Sequence, residues 1–377
     1  KSVVSLSSII PATLSYITAA RMPTEKAHGI SIANMCASFA RAGTEVSLIT
    51  PTRHTGITDD VWMYYAMPRI FELRRIVSPD LLSRGWTHPL FFFAQRLLFL
   101  WALRKHSILP GIVYTREPEI VWRYSTSHCV VFEAHDWPRG WRGRLQAYLV
   151  RRSMLIVCNS EGTQSVARTH GLMHTIVAQN GFSPDQFEKA ISKHDARMQL
   201  GIELNAIVAM YVGALDARKG VQTLFDASSL LAGVTMVVVG GGVMQISTLA
   251  QKYPTIRFLG FRPYREIADT LAAADVLVLP NSARSMESSS FTSPIKLFAY
   301  MASGVPIVAS DVPAVRAVLN EKNALLVLPD YSEALATGIR AVLSDKDGGE
   351  ARAQSARASV QSYTWDARAE RILEAIR

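Results

Sequence analysis

The sequence is short of cysteine, of charge and of long unbroken apolar runs, and each shortage removes a class of protein. Its three cysteines, Cys36, Cys129 and Cys158, sit inside apolar runs and share no metal-ligand spacing, so they read as buried thiols in a reducing compartment. No signal peptide or spanning helix is legible. The strongest candidate, PLFFFAQRLLFLWAL from Pro89 to Leu103, is too short and contains Gln95 and Arg96. The expected location is therefore cytoplasmic. No helix-turn-helix, zinc finger or aromatic RNA motif is present, which argues against nucleic acid as a partner. The first loop, with only Gly29, carries no dinucleotide fingerprint. No carboxylate pair suited to a double displacement stands out. Asp345 and Asp347 in SDKDGG resemble a metal motif only superficially and are expected in a surface loop, so no metal is expected.

What remains is the composition of a packed globular protein. With 49% hydrophobic and 19% charged residues among 377, disorder is excluded and two domains of ordinary size are expected. The net charge of +9 belongs to one half. Residues 1 to 190 carry 21 Lys+Arg against 13 Asp+Glu, and residues 191 to 377 carry 19 against 18. A basic first half suits an anionic lipid surface or a phosphorylated acceptor. Flanked by Arg84, Arg104 and Lys105, the segment from Pro89 to Leu103 reads either as an ordinary core helix or as a helix lying in a membrane interface.

The chain is organised around residues 274 to 311, ADVLVLPNSARSMESSSFTSPIKLFAYMASGVPIVASD with its first residue Ala274. Val276 to Leu279 read as a strand buried on both faces and stopped by Pro280. A Ser-rich loop follows. Ser293 is expected as an N-cap with Pro294 at the first helical position, and Gly304 as the left-handed terminator before strand Ile307 to Ala309. In open α/β sheets ligands gather where strand carboxyl ends face helix amino ends, and the free N–H groups there favour a phosphate. Lys296, in that first turn, is either a phosphate counter-charge or a solvated surface lysine.

SPIKLFAYMASGVPIVASD resembles the donor-site segment of retaining GT-B glycosyltransferases of family four, whose usual form is SPxKLFEYMASGxPIVASD. The resemblance implies an α/β fold of two Rossmann-like domains facing each other across a cleft. It also implies a nucleoside diphosphate sugar as substrate, with no cofactor, and a UDP-sugar in preference to a GDP-sugar. Ser293, Ile295, Lys296 and Leu297 then cradle the diphosphate. Position 299 is the glutamate that accepts from the ribose hydroxyls, but Ala299 stands there, and Phe291 occupies the place of a second glutamate eight residues earlier. Alanine cannot accept those hydrogen bonds, so the protein is expected to be either a natural divergence or an inactivated Glu-to-Ala variant. A chain opening at Lys1 reads as processed or trimmed, which leaves room for an engineered change.

In the first half, VVSLSSII reads as a strand leading to a loop with Lys26, His28 and Gly29, a helix from Ile30 to Arg41, and a strand from Glu45 to Ile49. The resemblance places that loop on the cleft, with Lys26, His28 and Gly29 beside sugar and acceptor. Helical segments separated by Pro68, Pro79 and Pro89 are expected next. A strand from Gly111 to Thr115 then ends at Arg116, a further acceptor-side candidate at a strand carboxyl end. VVFEAHD resembles the segment whose histidine reaches the donor sugar, which makes His135 the catalytic candidate; otherwise it caps a helix. Arg139, Arg142 and Arg144 with Trp137 and Trp141 form either a solvated face or a basic aromatic platform.

In the second half the polar stretch 188 to 204 reads as an interdomain link. After strand Ile207 to Val212 comes GALDARKG, where Gly213, Arg218 and Lys219 precede a helix and suit a diphosphate. The resemblance matches Lys219 to a phosphate lysine, while Ala214 replaces an arginine for which Arg218 is the substitute. Gly241, in a glycine triplet ending a strand, permits close approach by a ligand. In FLGFRP, Arg262 is a candidate for base or phosphate contact. The tail SYTWDARAERILEAI resembles one that returns to the first domain, with Trp365 as a packing anchor.

The expected division is an acceptor-side domain of residues 1–188 with helix 360–377, and a donor-binding domain of residues 189–359. The expected activity is retaining, metal-independent transfer of a sugar to a hydroxyl of a saccharide or lipid-linked acceptor in polysaccharide or glycolipid assembly, peripheral on the inner face of the cytoplasmic membrane. The alternatives are a non-catalytic sugar-nucleotide-binding protein and a GT-B epimerase.

Overall fold

The computed structural model describes residues 13–54, 56–81, 89–291 and 293–377. In chain order its elements begin β1 Thr13–Ile17, α1 Ala27–Arg41, β2 Glu45–Pro51, α2 Val61–Tyr64, β3 Glu72–Ile76, α3 Pro89–Leu103, β4 Ile112–Thr115, α4 Pro118–Tyr124, β5 Cys129–Ala134, α5 Trp141–Val150, β6 Leu155–Cys158, α6 Glu161–Thr169 and β7 Thr175–Val177. Then come α7 Pro184–Glu188, α8 Lys193–Leu200, β8 Ile207–Val212, α9 Val221–Ser228, β9 Val234–Val239, α10 Val243–Lys252, β10 Ile256–Gly260, α11 Ile267–Ala272 and β11 Val276–Leu279. The chain finishes with α12 Ile295–Ser303, β12 Ile307–Ser310, α13 Pro313–Arg316, β13 Leu325–Val327, α14 Ser332–Ser344, α15 Lys346–Ser359 and α16 Trp365–Ile376.

Two compact units result, residues 1–179 with 365–377, and residues 180–364. The first holds a parallel sheet ordered β3-β2-β1-β4-β5-β6-β7, the second a parallel sheet ordered β10-β9-β8-β11-β12-β13. Strands such as VLVL and LIVC are buried along their whole length, because helices cover both faces of a parallel sheet. Each such Val, Leu or Ile side chain contributes roughly 1.5–3 kcal/mol by leaving water. In both sheets the order reverses once, between β1 and β4 and between β8 and β11. Such reversals open a crevice at the strand carboxyl ends, where ligands bind in sheets of this kind.

The structure corrects several local expectations. The polar stretch 188–204 is no link: α8 belongs to the second unit, where buried Arg197 donates to Asp275 at 2.8 Å and to the carbonyl of Ala273. Phe182 and Phe187 already lie in the second unit's core, their rings 5.8 Å apart, so the division falls at residue 180 and not at 189. At the far end Val360 and Tyr363 stay in that unit too, with Tyr363 against Phe298, and only from Trp365 does the chain join the first. There α16 packs against α1, with Arg41 donating to Asp366 at 2.6 Å and Trp365 buried.

Between Ile57 and Trp101 the chain forms the edge strand β3, where helices alone were expected. Its ELRRI pattern exposes charge because one edge has no neighbouring strand. The strand read in VVSLSSII lies outside the described residues, and the first described strand is TLSYI. Asp345 and Asp347 open α15 and do not sit in a loop. Asp345 caps it by accepting from the Gly348 N–H at 3.0 Å.

Candidate functional site

In the second unit, the crevice between β8 and β11 is built by glycines whose backbone positions leave no room for a side chain. Gly213, directly after β8, has φ +151°, and its N–H donates to Val239 at 2.8 Å. A Cβ there would lie 2.4 Å from Lys296 Nζ. Gly240, directly after β9, has φ +131°, and a Cβ would lie 2.0 Å from the Gly213 carbonyl oxygen. Both backbones therefore press together at the strand ends and clear the space into which Lys296 extends. Gly241 follows Gly240 in the same turn.

Lys296 is held from below by a strand residue. Its Nζ donates to Tyr211 Oη at 2.9 Å and lies 4.1 Å from the centre of the Tyr211 ring, while Tyr211 donates to the Ala214 carbonyl at 2.8 Å. Burial of the ammonium, and then the nearby charge of Lys219, pull Lys296 down to about 7, although the residue keeps some contact with solvent. Tyr300, one turn along α12, accepts from the Val212 N–H at 2.7 Å and pins the helix to the end of β8. The ammonium is thus fixed at the amino end of α12, where the helix dipole also favours an anion.

The start of α12 differs from expectation. Pro294 occupies the cap position with no side-chain hydrogen bond, and the helix begins at Ile295. Ser293 caps nothing, because its Oγ accepts from the Asn180 N–H at 2.8 Å and its carbonyl accepts from Asn180 Nδ2 at 2.6 Å. That arrangement anchors the approach to α12 and leaves the backbone amides of Ile295 and Lys296 without a side-chain cap. Leu297 is buried beneath them. The Ser-rich loop before it is no open loop. Residues Glu287–Phe291 form a helical turn with Ser288, Ser289 and Phe291 buried, folded back by Asn281 Nδ2 donating to Ser288. Gly304 ends the helix at φ +71°, as the sequence predicts.

Ala299 is buried in the core on α12 and presents no polar atom. Arg218 is occupied: it pairs with Asp216 at 2.5 Å and with Glu287 at 2.6 Å. The Arg218 side chain, then its backbone N–H, hold Asp216 at about 2. Lys219 lies 3.9 Å from Glu287. Glu287 was not singled out in the sequence, since a lone glutamate in a serine run carries no periodic signal. Arg262, after β10, reaches Glu266 at 3.8 Å and buries an Nε that has no hydrogen-bond partner.

In the first unit the candidates gather around a carboxylate that sequence reading passed over. Glu133, at the end of β5, is fully buried and accepts from Arg116 at 3.0 Å, from Arg368 of α16 at 2.8 Å and from His135 Nε2 at 2.6 Å. Burial alone would raise its pKa, but the two guanidinium groups and His135 hold it well below the usual carboxylate range. Burial and then Arg116 lower His135 to about 4. The imidazole is therefore neutral at pH 7, with Nε2–H given to Glu133 and the lone pair on Nδ1. Arg116 also donates to Ser31 at 2.7 Å, so it serves the buried network. Lys26 and His28 are exposed at the start of α1, and Gly29 is buried behind them, its N–H donating to the Lys26 carbonyl.

Residues 206–345 match the family model described as glycosyl transferases group 1. This part of the chain is a glycosyl transferases group 1 domain. That domain contains the whole crevice from Gly213 to Lys296. Among curated relatives, the chain is 34% identical over 149 residues to a putative teichuronic acid biosynthesis glycosyltransferase, TuaC, of Bacillus subtilis, covering 39% of this chain and 36% of that protein. It is 30% identical over 206 residues to the phosphatidyl-myo-inositol mannosyltransferase of Mycobacterium tuberculosis, covering 52% and 51%. The matches thus span about a third to a half of the length of these relatives. Among solved structures, sucrose-phosphate synthase from Thermosynechococcus elongatus superposes with a TM-score of 0.76 at 20% identity, covering 96% of this chain and 97% of that one. Anabaena HepE in complex with UDP-glucose gives 0.70 at 20%, covering 96% and 98%. At these identities the likeness establishes the fold: GT-B, two Rossmann-like domains, the glycosyl transferases group 1 domain being the second.

Proposed function

We propose that the protein transfers a sugar from a nucleoside diphosphate sugar, preferably a UDP-sugar, to a hydroxyl of a saccharide or lipid-linked acceptor. The supporting observation is Lys296, seated on Tyr211 at the uncapped amino end of α12, with the charge of Lys219 nearby. A diphosphate placed there meets two ammonium groups and free backbone amides. As the anomeric carbon–oxygen bond breaks, negative charge grows on the diphosphate, and these fixed groups stabilise it by roughly several kcal/mol. In the retaining, metal-independent course proposed, the acceptor oxygen bonds the anomeric carbon on the face the diphosphate leaves. The acceptor proton passes to a diphosphate oxygen. His135, held neutral by burial and the charge of Arg116 and oriented by Glu133, offers Nδ1 to a sugar hydroxyl. Residues 180–364 bind the donor, the first unit binds the acceptor, and the protein works peripherally on the inner face of the cytoplasmic membrane.

A second reading, a sugar-nucleotide-binding protein without turnover, is favoured by one observation: Ala299 supplies no acceptor for the ribose hydroxyls. The Ala299→Glu variant separates the two. With ribose contact restored, UDP affinity is expected to rise about tenfold, the worth of one charge-assisted hydrogen bond. Donor turnover in the presence of acceptor hydroxyls should rise with it. Unchanged affinity in a folded variant counts against position 299 as a ribose contact. Product formed from donor alone would favour an epimerase.

A further inference from the structure

The first unit carries an apolar surface with no core function. Helices α3, α4 and α5 cover one face of its sheet and share one core, to which they contribute Phe99, Ile120, Tyr124 and Val150 among others. They lie side by side: Arg96 of α3 pairs with Glu119 of α4 at 2.5 Å, and α4 packs against α5. An amphipathic helix normally has one apolar stripe, facing inward. Here α3 and α5 each have a second, facing outward. Phe93, Leu97 and Trp101 of α3 stand four residues apart and are 52%, 43% and 54% exposed. Trp141, Leu145 and Tyr148 of α5, four and then three residues apart, form a like exposed stripe, and Trp122 of α4 is exposed too.

Cations lie on the aromatic rings of these stripes. Lys105 Nζ lies 4.9 Å from the Trp101 ring centre, the Arg142 guanidinium 5.6 Å from Trp141, and the Arg151 guanidinium 4.0 Å from Tyr148. Arg104, Arg144 and Arg152 are exposed around them. From Pro89 to Met154 the chain has ten basic and four acidic residues. Of the four acids, Glu133 is buried, Glu119 is paired with Arg96, and Glu117 accepts from Thr18 and Ala19, which leaves Asp136 as the exposed acid. A protein interface core is depleted of charge, whereas a bilayer interface interleaves acyl chain and phosphate over a few ångströms, matching rings topped by cations. No described helix is long and apolar enough to cross a membrane, so the surface lies along the bilayer.

We propose that the outer face of α3, α4 and α5 docks on an anionic lipid bilayer, with Trp101, Trp122, Trp141 and Tyr148 in the headgroup layer and the neighbouring Arg and Lys side chains on lipid phosphates. This rests on the peripheral-membrane part of the proposed function and makes it specific, but it does not depend on sugar transfer. Vesicle binding and UDP binding therefore fail separately.

The test uses the full chain with sucrose-loaded vesicles, either phosphatidylcholine alone or phosphatidylcholine with phosphatidylglycerol. Sedimentation with the anionic vesicles only, weakening with salt and accompanied by a blue shift of tryptophan emission, is expected. Reversing charge in an Arg142→Glu, Arg151→Glu variant should weaken binding at least about 25-fold, since each basic residue near the surface contributes roughly fivefold. A Trp101→Ser, Trp141→Ser variant should lose the blue shift and most of the binding. These side chains are exposed, so unchanged melting temperature and UDP affinity certify the fold. Equal recovery in both supernatants overturns the proposal. So does a wild-type dimer that the tryptophan variant converts to monomer without any vesicle binding, which would make this face a protein interface.

Discussion

Lys296 provides the sharpest test of the donor site, because its environment makes an unusual demand of pH. Burial and Lys219 place it at about 7 in the free protein, whereas an ammonium against a diphosphate is held charged to well above pH 9. UDP binding must therefore take up a proton wherever the free lysine is neutral. At pH 8 the free form is about one-tenth protonated, so close to 0.9 proton should be taken up per UDP, and affinity should fall about tenfold per pH unit above 7. Between pH 7 and 9 the loss should be about 50-fold, roughly 2.3 kcal/mol. Isothermal titration in buffers of differing ionisation enthalpy reads the proton count directly. Lys296→Arg keeps charge without titrating, and should flatten the pH profile. Lys296→Met should flatten it too while weakening binding throughout. The same shift acts on folding with a definite sign. The unfolded lysine holds its proton up to about 10.4 and the folded one only to about 7, so this group makes the chain more stable as pH rises through that window. A UDP affinity that stays constant from pH 7 to 9, with no buffer dependence, would refute the placement of Lys296 on the diphosphate.

Two further outcomes follow from the buried groups. Glu133→Gln leaves Arg116 and Arg368 buried without their carboxylate and should destabilise the fold by about 3–5 kcal/mol in denaturant titration. In the unaltered protein the depressed Glu133 pKa contributes stability that is present above its unfolded value and lost as pH falls towards the folded one, and acid unfolding of the Gln variant should lack that component. Gly240→Ala forces a methyl against the Gly213 carbonyl at a positive φ; a loss of at least about 1–3 kcal/mol in thermal melts, with weaker UDP binding, is expected.

The sequence alone determined the alternation of strand and helix, the parallel sheets and the crevice-forming segments, because buried strands are uninterrupted apolar runs and turns are punctuated by glycine and proline. VLVL followed by Pro280, and the helix closed by Gly304, are legible for that reason. Lys296 stood out from its place in the first turn of a helix, and the glycines at 213 and 241 from theirs after strands. Tertiary structure alone decided what those residues touch. Tyr211 beneath Lys296, Glu287 across Arg218 and Lys219, and Asn180 on Ser293 join positions 68 or more residues apart, and no local pattern records such pairings. Glu133 is the clearest case. Its buried charge is tolerable only because Arg368, from the last helix, arrives beside it, and that meeting is a property of the folded chain and of no segment within it.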